Sequence, residues 1–184
     1  DFAWTAWPHF QQRTERIDDV EVRLLYPPGH DQSYERMRES LQLALPRLNR
    51  LYGRYPHAVL TVVHPPEHAK NAGGMEYPTL ITTGGPWYAG HLGVRAIETV
   101  TVHELAHQWF QGLVASNEPA WPFLDEGLTT YVEATTLSAA YGSGSLIHWP
   151  GLTISDDAAR RALSAHFGHD EVVALPARAF PSFV

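Results

Sequence analysis

The pentapeptide His103-Glu104-Leu105-Ala106-His107 is the feature that most constrains how this chain folds. Two histidines four residues apart project from the same face of an α-helix, one turn above the other. Neutral imidazoles in that arrangement can hold a metal ion from one side, and Glu104 can reach a water beside the ion without being a ligand. The motif therefore predicts a helix, and the apolar spacing over residues 94–113 is compatible with one.

A third candidate ligand, Glu126, follows the second histidine after eighteen intervening residues and lies in another helix-like segment, residues 122–141. A short connection over residues 115–121 would set Glu126 opposite the histidine pair. Two histidines and a glutamate leave a fourth position open for water, as catalytic zinc requires. Because the chain has no cysteine, any zinc must rest on nitrogen and oxygen atoms. We therefore predict one catalytic Zn²⁺ held by His103, His107 and Glu126, with Glu104 as the general base.

Composition excludes several other classes of protein. The formal charge of −7 and the single lysine argue against nucleic acid as a partner. No apolar run approaches the roughly 18 residues of a transmembrane helix. The chain opens on Asp1-Phe2-Ala3, without Met or a basic-then-apolar segment, which is typical of a processed or excised fragment. Neither this opening nor the lack of cysteine identifies a cellular compartment.

The remaining patterns predict an α+β fold in one domain, residues 1–184. Strand-like alternation occurs over residues 1–7 and 17–26, and short β-branched runs over 57–63 and 79–83 predict two more strands. A long helix is expected over residues 34–52, capped by Ser33 and kinked or divided at Pro46. A last helix is expected from Ser155 or Asp156 to about His166, followed by an irregular tail. A small mixed sheet would then pack against the helices that carry the metal site.

These motifs resemble the zinc aminopeptidase family that includes alanyl aminopeptidase and leukotriene hydrolase. The family pattern is HExxH, eighteen residues, then Glu, and the flanking runs His107-Gln108-Trp109-Phe110 and Phe123-Leu124-Asp125-Glu126-Gly127-Leu128 are similar to the family's. Upstream, Gly73-Gly74-Met75-Glu76-Tyr77 resembles the family's exopeptidase signature Gly-x-Met-Glu-Asn, with Tyr77 in place of Asn. The resemblance extends over the whole chain and implies a thermolysin-like catalytic domain belonging to a larger multidomain protein.

The resemblance also implies roles for residues outside the predicted metal set. Glu76 would bind the free α-amino group of a peptide, since a carboxylate pairs well with an ammonium. Gly73 and Gly74, with Met75, would let the backbone run close beside an extended peptide. Glu133, seven residues after Glu126, would support a zinc ligand from behind, and Asp125 is an alternative for the same part.

The predicted function is zinc-assisted hydrolysis of the amino-terminal peptide bond, with a peptide bearing a free amino terminus as partner. The family also uses an oxyanion-stabilising tyrosine about 80 or more residues beyond the first histidine, which falls at or beyond Val184. We therefore expect this chain to be weak or inactive without the missing domains of its parent. Two alternatives remain open, a zinc endopeptidase and a non-catalytic scaffold of the same fold.

Overall fold

The computed structural model describes residues 2–167, which form two small sheets and four α-helices. The strands are β1 (Gln11–Ile17), β2 (Val20–Tyr26), β3 (Val59–Val63), β4 (Leu80–Thr82), β5 (Ile147–Trp149) and β6 (Leu152–Ile154). The helices are α1 (Asp31–Tyr52), α2 (Ala96–His107), α3 (Leu128–Tyr141) and α4 (Asp156–Phe167). A π-helical turn, Phe123–Gly127, leads directly into α3. This mixture of strands and helices confirms the α+β class.

Strands β1 to β4 form one mixed sheet in sequence order. β1 and β2 are antiparallel and joined by a tight turn, whereas β2, β3 and β4 run parallel to one another. The parallel strands are largely buried and β-branched, while β1 is an exposed, polar edge. Parallel neighbours require a crossover, and α1 supplies the crossover between β2 and β3.

Helix α1 covers the sheet with an apolar face, and this contact forms most of the hydrophobic core. The face repeats at helical spacing and its members are fully buried: Met37, Leu41, Ala44, Leu45 and Leu48. They belong to one cluster with sheet residues such as Leu24, Leu60 and Ile81, and with Leu105 of α2. Helix α2 is therefore seated on the core by one side.

Buried polar contacts fix α2 against its neighbours. At the end of β4, the Thr83 hydroxyl lies 2.8 Å from that of Thr101 on α2, and both residues are fully buried. Beyond the end of α2, the Trp109 indole N–H donates to the backbone oxygen of Gly53 after α1, at 2.8 Å. Since a buried hydrogen bond is costly to break, these contacts hold the helix that carries the histidines in one position.

Several predicted boundaries were wrong at the amino-terminal end. Residues 2–7 form no strand, and the first strand is instead Gln11–Ile17. Helix α1 begins at Asp31, so Ser33 lies buried within its first turn and makes no capping bond. The helix also continues through Pro46 as one element, so the division predicted there is wrong, while a kink stays a prediction. Its buried leucines lie on both sides of the proline, so core packing compensates for the missing N–H.

Further along, α2 ends at His107 rather than near residue 113: the N–H groups of Gln108 and Trp109 bond three residues back, and Gln111 then adopts a positive φ of 100°. The hairpin of β5 and β6 was not predicted. The final helix, Asp156–Phe167, was predicted. It follows Ser155, whose hydroxyl accepts the N–H of Ala158 at 3.1 Å. The predicted tail lies outside the described residues.

In the described part of the chain no helix is both long and apolar enough to cross a membrane. The single-domain boundary and the thermolysin-like architecture stay predictions.

Candidate active site

Helix α2 and the π-helical turn bring the three predicted metal ligands together. The Nε2 atoms of His103 and His107 lie 3.2 Å apart on one face of α2. Glu126, in the π-helical turn, places its Oε2 at 3.1 Å from the Nε2 of His103 and 3.7 Å from that of His107. The three candidate ligand atoms thus form a small triangle around a common point.

The triangle fits the requirements of a zinc ion. Four-coordinate zinc binds nitrogen at about 2.0–2.1 Å, which separates ligands at tetrahedral corners by about 3.4 Å. The observed separations of 3.1 to 3.7 Å bracket that value. When both imidazoles are neutral with their protons on Nδ1, the three facing atoms all carry lone pairs and none carries a proton. No proton donor of the described residues lies between them, so a cation is the partner that would satisfy all three. Glu126 remains half exposed, which leaves the fourth side open to solvent.

The outer nitrogen of each imidazole lies close to a buried carboxylate. The Nδ1 of His103 lies 3.0 Å from Oε2 of Glu133, and the Nδ1 of His107 lies 2.8 Å from Oδ1 of Asp125. Thr129 and the backbone oxygen of Phe110 also lie near the Nδ1 of His107, each at 3.2 Å. Glu133 accepts the Nδ1–H of His103, and the backbone oxygen of Phe110 lies in hydrogen-bond geometry to accept that of His107. Asp125 meets the Nδ1 of His107 as a close ion-pair contact, and its Oδ1 makes no hydrogen bond among the described residues. An acceptor on Nδ1–H fixes the tautomer and aims the Nε2 lone pair at the site.

The same carboxylates shape the electrostatics of the two histidines. Burial lowers the pKa of His103, but hydrogen bonds with Glu126 and Glu133 more than offset this and raise the pKa to about 9. Burial likewise lowers the pKa of His107, but the nearby carboxylates of Asp125 and Glu126 more than offset this and raise the pKa to about 10. The two histidines in turn hold the pKa of Glu126 below its usual range. A field that so favours a proton on the imidazoles favours a metal cation in the same place.

Glu104 lies beside the triangle and is almost fully buried. Burial raises the pKa of its carboxyl to about 7, against the opposing effect of His103 and His107. Its Oε2 has no hydrogen-bond partner among the described residues. A carboxyl with a pKa near neutrality can both accept and return a proton, which suits a general base.

The glycine-rich segment runs alongside Glu104. Backbone N–H groups of Gly74 and Met75 donate to the Thr82 oxygen at 2.8 and 3.3 Å, and Met75 forms an antiparallel bridge with Thr82. A Cβ on Gly73 would lie 2.7 Å from the Thr83 oxygen, and Gly74 has a φ of +71°. A Cβ on Gly74 would lie 3.7 Å from Oε1 of Glu104, so this backbone borders the general-base candidate directly. Both positions therefore require glycine.

Glu76 lines a cavity of about 350 Å³, together with residues that include Tyr77, Gln111 and Glu118. One carboxylate oxygen from each of Glu76, Glu118 and Asp125 lies within 4.8 Å of the others. The side-chain amide of Gln108, just after α2, donates to the backbone oxygens of Glu76 and Tyr77 at 3.2 Å each. Gln108 thereby ties the Glu76 segment to the histidine helix.

The structure thus gathers every site residue named from the sequence into one region. It also adds residues that sequence reasoning missed. Gln108 stood within a recognised motif flank, so its place beside the site was foreseeable, although its bonds were not. Glu118 lies in the loop between the two motifs, Thr129 lies in α3, and Arg160 lies in α4. The sequence spacing of these three residues does not indicate a role at the site, because their contacts depend on how the helices pack.

Comparison with known proteins identifies the family. Residues 41–172 match the Peptidase family M1 domain, which is most of the chain. The chain belongs to peptidase family M1. It is 42% identical over 78 residues to Leucine aminopeptidase 2 of Aspergillus niger, covering 39% of this chain and 11% of that protein. It is 38% identical over 105 residues to Leucine aminopeptidase 2 of Aspergillus terreus, covering 53% of this chain and 15% of that protein. The matched region is therefore a small part of these family relatives.

Proposed function

We propose that this chain carries the active site of a zinc-dependent aminopeptidase. The convergence of His103, His107 and Glu126 on one point, with a carboxylate oxygen within 3.0 Å of each outer imidazole nitrogen, is the observation that carries the proposal. Membership of a peptidase family supports peptide-bond hydrolysis as the reaction class. The names of the relatives favour removal of amino-terminal residues.

In the proposed reaction, bound zinc would supply Lewis acidity, lowering the pKa of a water and polarising the scissile carbonyl. Glu104 takes the proton from the attacking water and later passes it to the leaving amine. Its burial supports this role, since a partly desolvated carboxyl with a raised pKa is a stronger base. Glu133 on His103 and the Phe110 backbone oxygen on His107 keep the two imidazoles in the tautomer that presents Nε2 to the site, with Asp125 close beside His107.

Glu76 is proposed to bind the α-ammonium of the substrate, so that cleavage occurs after the first residue. Its carboxylate stands near Glu118 and Asp125, and this concentration of negative charge favours a cationic group in the cavity. At Gly74 a Cβ would meet only Glu104, at 3.7 Å, so the missing side chain leaves space for an extended peptide there, whereas Gly73 packs closely against the Thr83 backbone.

The test compares hydrolysis of an aminoacyl reporter by the unmutated full-length protein and by its Glu104→Gln variant, with metal content measured on both. Glu104→Gln retains zinc but loses about 10²- to 10⁴-fold in kcat, because the water lacks its proton acceptor. Full turnover by this variant would refute the role of Glu104.

A peptide whose amino group is blocked serves as the comparison substrate. Cleavage of free but not of blocked peptides supports an aminopeptidase, whereas equal cleavage of both would support an endopeptidase instead. A folded, zinc-loaded protein that cleaves neither would favour a scaffold. That this chain alone is weak or inactive stays a prediction, tested by assaying it beside the full-length protein.

A further inference from the structure

Arg160, on helix α4, contacts the carboxylate that holds His103. Its Nη2 donates to Oε1 of Glu133 at 3.0 Å, while Oε2 of the same carboxylate accepts from Nδ1 of His103 at 3.0 Å. Glu133 is only 3% exposed. A buried carboxylate is costly without charged or hydrogen-bonding partners, and here each oxygen has one.

The guanidinium of Arg160 is itself fixed from the other side. Its Nε donates to Oδ2 of Asp156 at 2.5 Å, one turn earlier on α4. Asp156 is buried, and its backbone N–H donates to the Ser145 hydroxyl at 2.9 Å. The planar, forked guanidinium therefore spans two anchored carboxylates, one on α4 and one on α3, and has little freedom to reorient.

We propose that Arg160 is a positioning residue for the metal site, which acts on His103 through Glu133 and so sets the affinity for zinc. This inference rests on the proposed function. With Arg160 present, the Glu133 carboxylate is held in one rotamer, and His103 keeps its Nδ1–H bond and aims Nε2 at the site. Without Arg160, one oxygen of Glu133 loses its partner, so the carboxylate is free to turn away from the imidazole. Partners of this kind typically change metal affinity by about 10- to 100-fold.

The neighbouring residue supplies a matched control. Arg161 forms the same kind of pair one position along the helix, with its Nη1 at 2.5 Å from Oδ2 of Asp157. Both of those side chains are mostly exposed, and neither contacts Glu133 among the interactions described. Replacing Arg161 therefore removes an arginine and a helical ion pair from α4 without touching the metal site.

The experiment measures zinc affinity of the full-length protein by competition with a chromophoric chelator, and the visible absorption spectrum of the Co²⁺-substituted protein. R160M is expected to weaken zinc binding by about tenfold and to alter the Co²⁺ spectrum. R161M is expected to match the parent in both. R160K keeps the charge but lacks the fork, so its affinity should lie between those of the parent and R160M.

The pair Glu133→Gln and Glu133→Gln/Arg160→Met gives a second comparison, in which residue 133 carries no charge that the loss of Arg160 could leave unpaired. Because Arg160 acts through Glu133, these two variants should bind zinc equally, even if R160M alone does not fold. A further tenfold loss in the double variant would overturn the inference, as would an R160M protein that binds zinc like R161M. A parent that binds no zinc would overturn the proposed metal site and this inference together, so the two failures are distinguishable.

Discussion

At the scale of single residues, the contacts at the Nδ1 atoms of His103 and His107 determine whether their Nε2 atoms can bind a metal ion. His103 and His107 each have two ring nitrogens, and the described structure gives each Nδ1 a carboxylate partner. The sequence predicted Glu133 as a support, with Asp125 as an alternative for the same part. In the structure they do not compete: Glu133 lies behind His103 and Asp125 behind His107. Both inner nitrogens are thereby available to a cation.

The carboxylates around the cavity have separable roles, which predicts different outcomes for two neighbouring substitutions. Glu76→Gln removes the proposed charge partner of the substrate ammonium, worth about 1.5–3 kcal/mol, so kcat/KM should fall by about 10- to 100-fold. Glu118→Gln should have a smaller effect in the same direction, since it lines the same cavity without being the proposed ammonium ligand. Steady-state kinetics with one aminoacyl reporter measures both.

Glu67→Gln is the control for these two substitutions, because Glu67 is exposed and its described ion pair is with Lys70 alone. Zinc content should be unchanged in all three variants. If Glu76→Gln were as active as Glu67→Gln, the assignment of Glu76 to the amino group would be wrong.

At the scale of elements, the sequence predicted what local periodicity and motif spacing encode. The helices around the metal motif, the two short parallel strands and the last helix were predicted, because their signals lie within a few consecutive residues. Strand β1 was not, since Gln11–Ile17 is polar and mostly exposed, so it has no buried alternation to detect. Its pairing with β2 is a tertiary contact that periodicity does not carry.

The π-helical turn at Phe123–Gly127 is the clearest case of local geometry that spacing leaves undetermined. Residues 122–141 were expected to form a helix, and α3 confirms this for Leu128–Tyr141. The widened turn before it carries Asp125 and Glu126, one directed to each side of the His107 ring. Since π-turns are frequent at functional sites, the departure from α-helical geometry falls where the site residues are concentrated.

At the scale of the whole molecule, one buried histidine away from the site links folding to pH. His64 follows β3, is 3% exposed, and its Nδ1 has no hydrogen-bond partner among the described residues. Burial and, to a smaller extent, the ring of His30, 5.6 Å away, together lower its pKa to about 4. Glu67 and Lys70 line the same small cavity. The folded chain therefore excludes a proton that the unfolded chain binds below a pH of about 6.5.

The sign of this linkage is that stability is present above pH 6.5 and is lost as the pH falls toward 4. The contribution amounts to about 3 kcal/mol at most. Urea unfolding of the metal-free protein between pH 7 and pH 4 measures it, with His64→Asn compared with the parent. The variant should lose less stability over that range, because Asn has no proton to gain. The exposed His57→Asn serves as control and should follow the parent, and identical slopes for all three proteins would contradict the assignment.

The central claim is that three side chains from two elements hold one zinc ion. The most direct measurement is a crystal structure of the zinc-loaded protein with an anomalous difference map recorded at the zinc absorption edge. We predict one strong peak, about 2.0–2.2 Å from the Nε2 atoms of His103 and His107 and from a carboxylate oxygen of Glu126. A zinc-loaded crystal with no peak there, or with its peak among Glu76, Glu118 and Asp125 instead, would contradict the account.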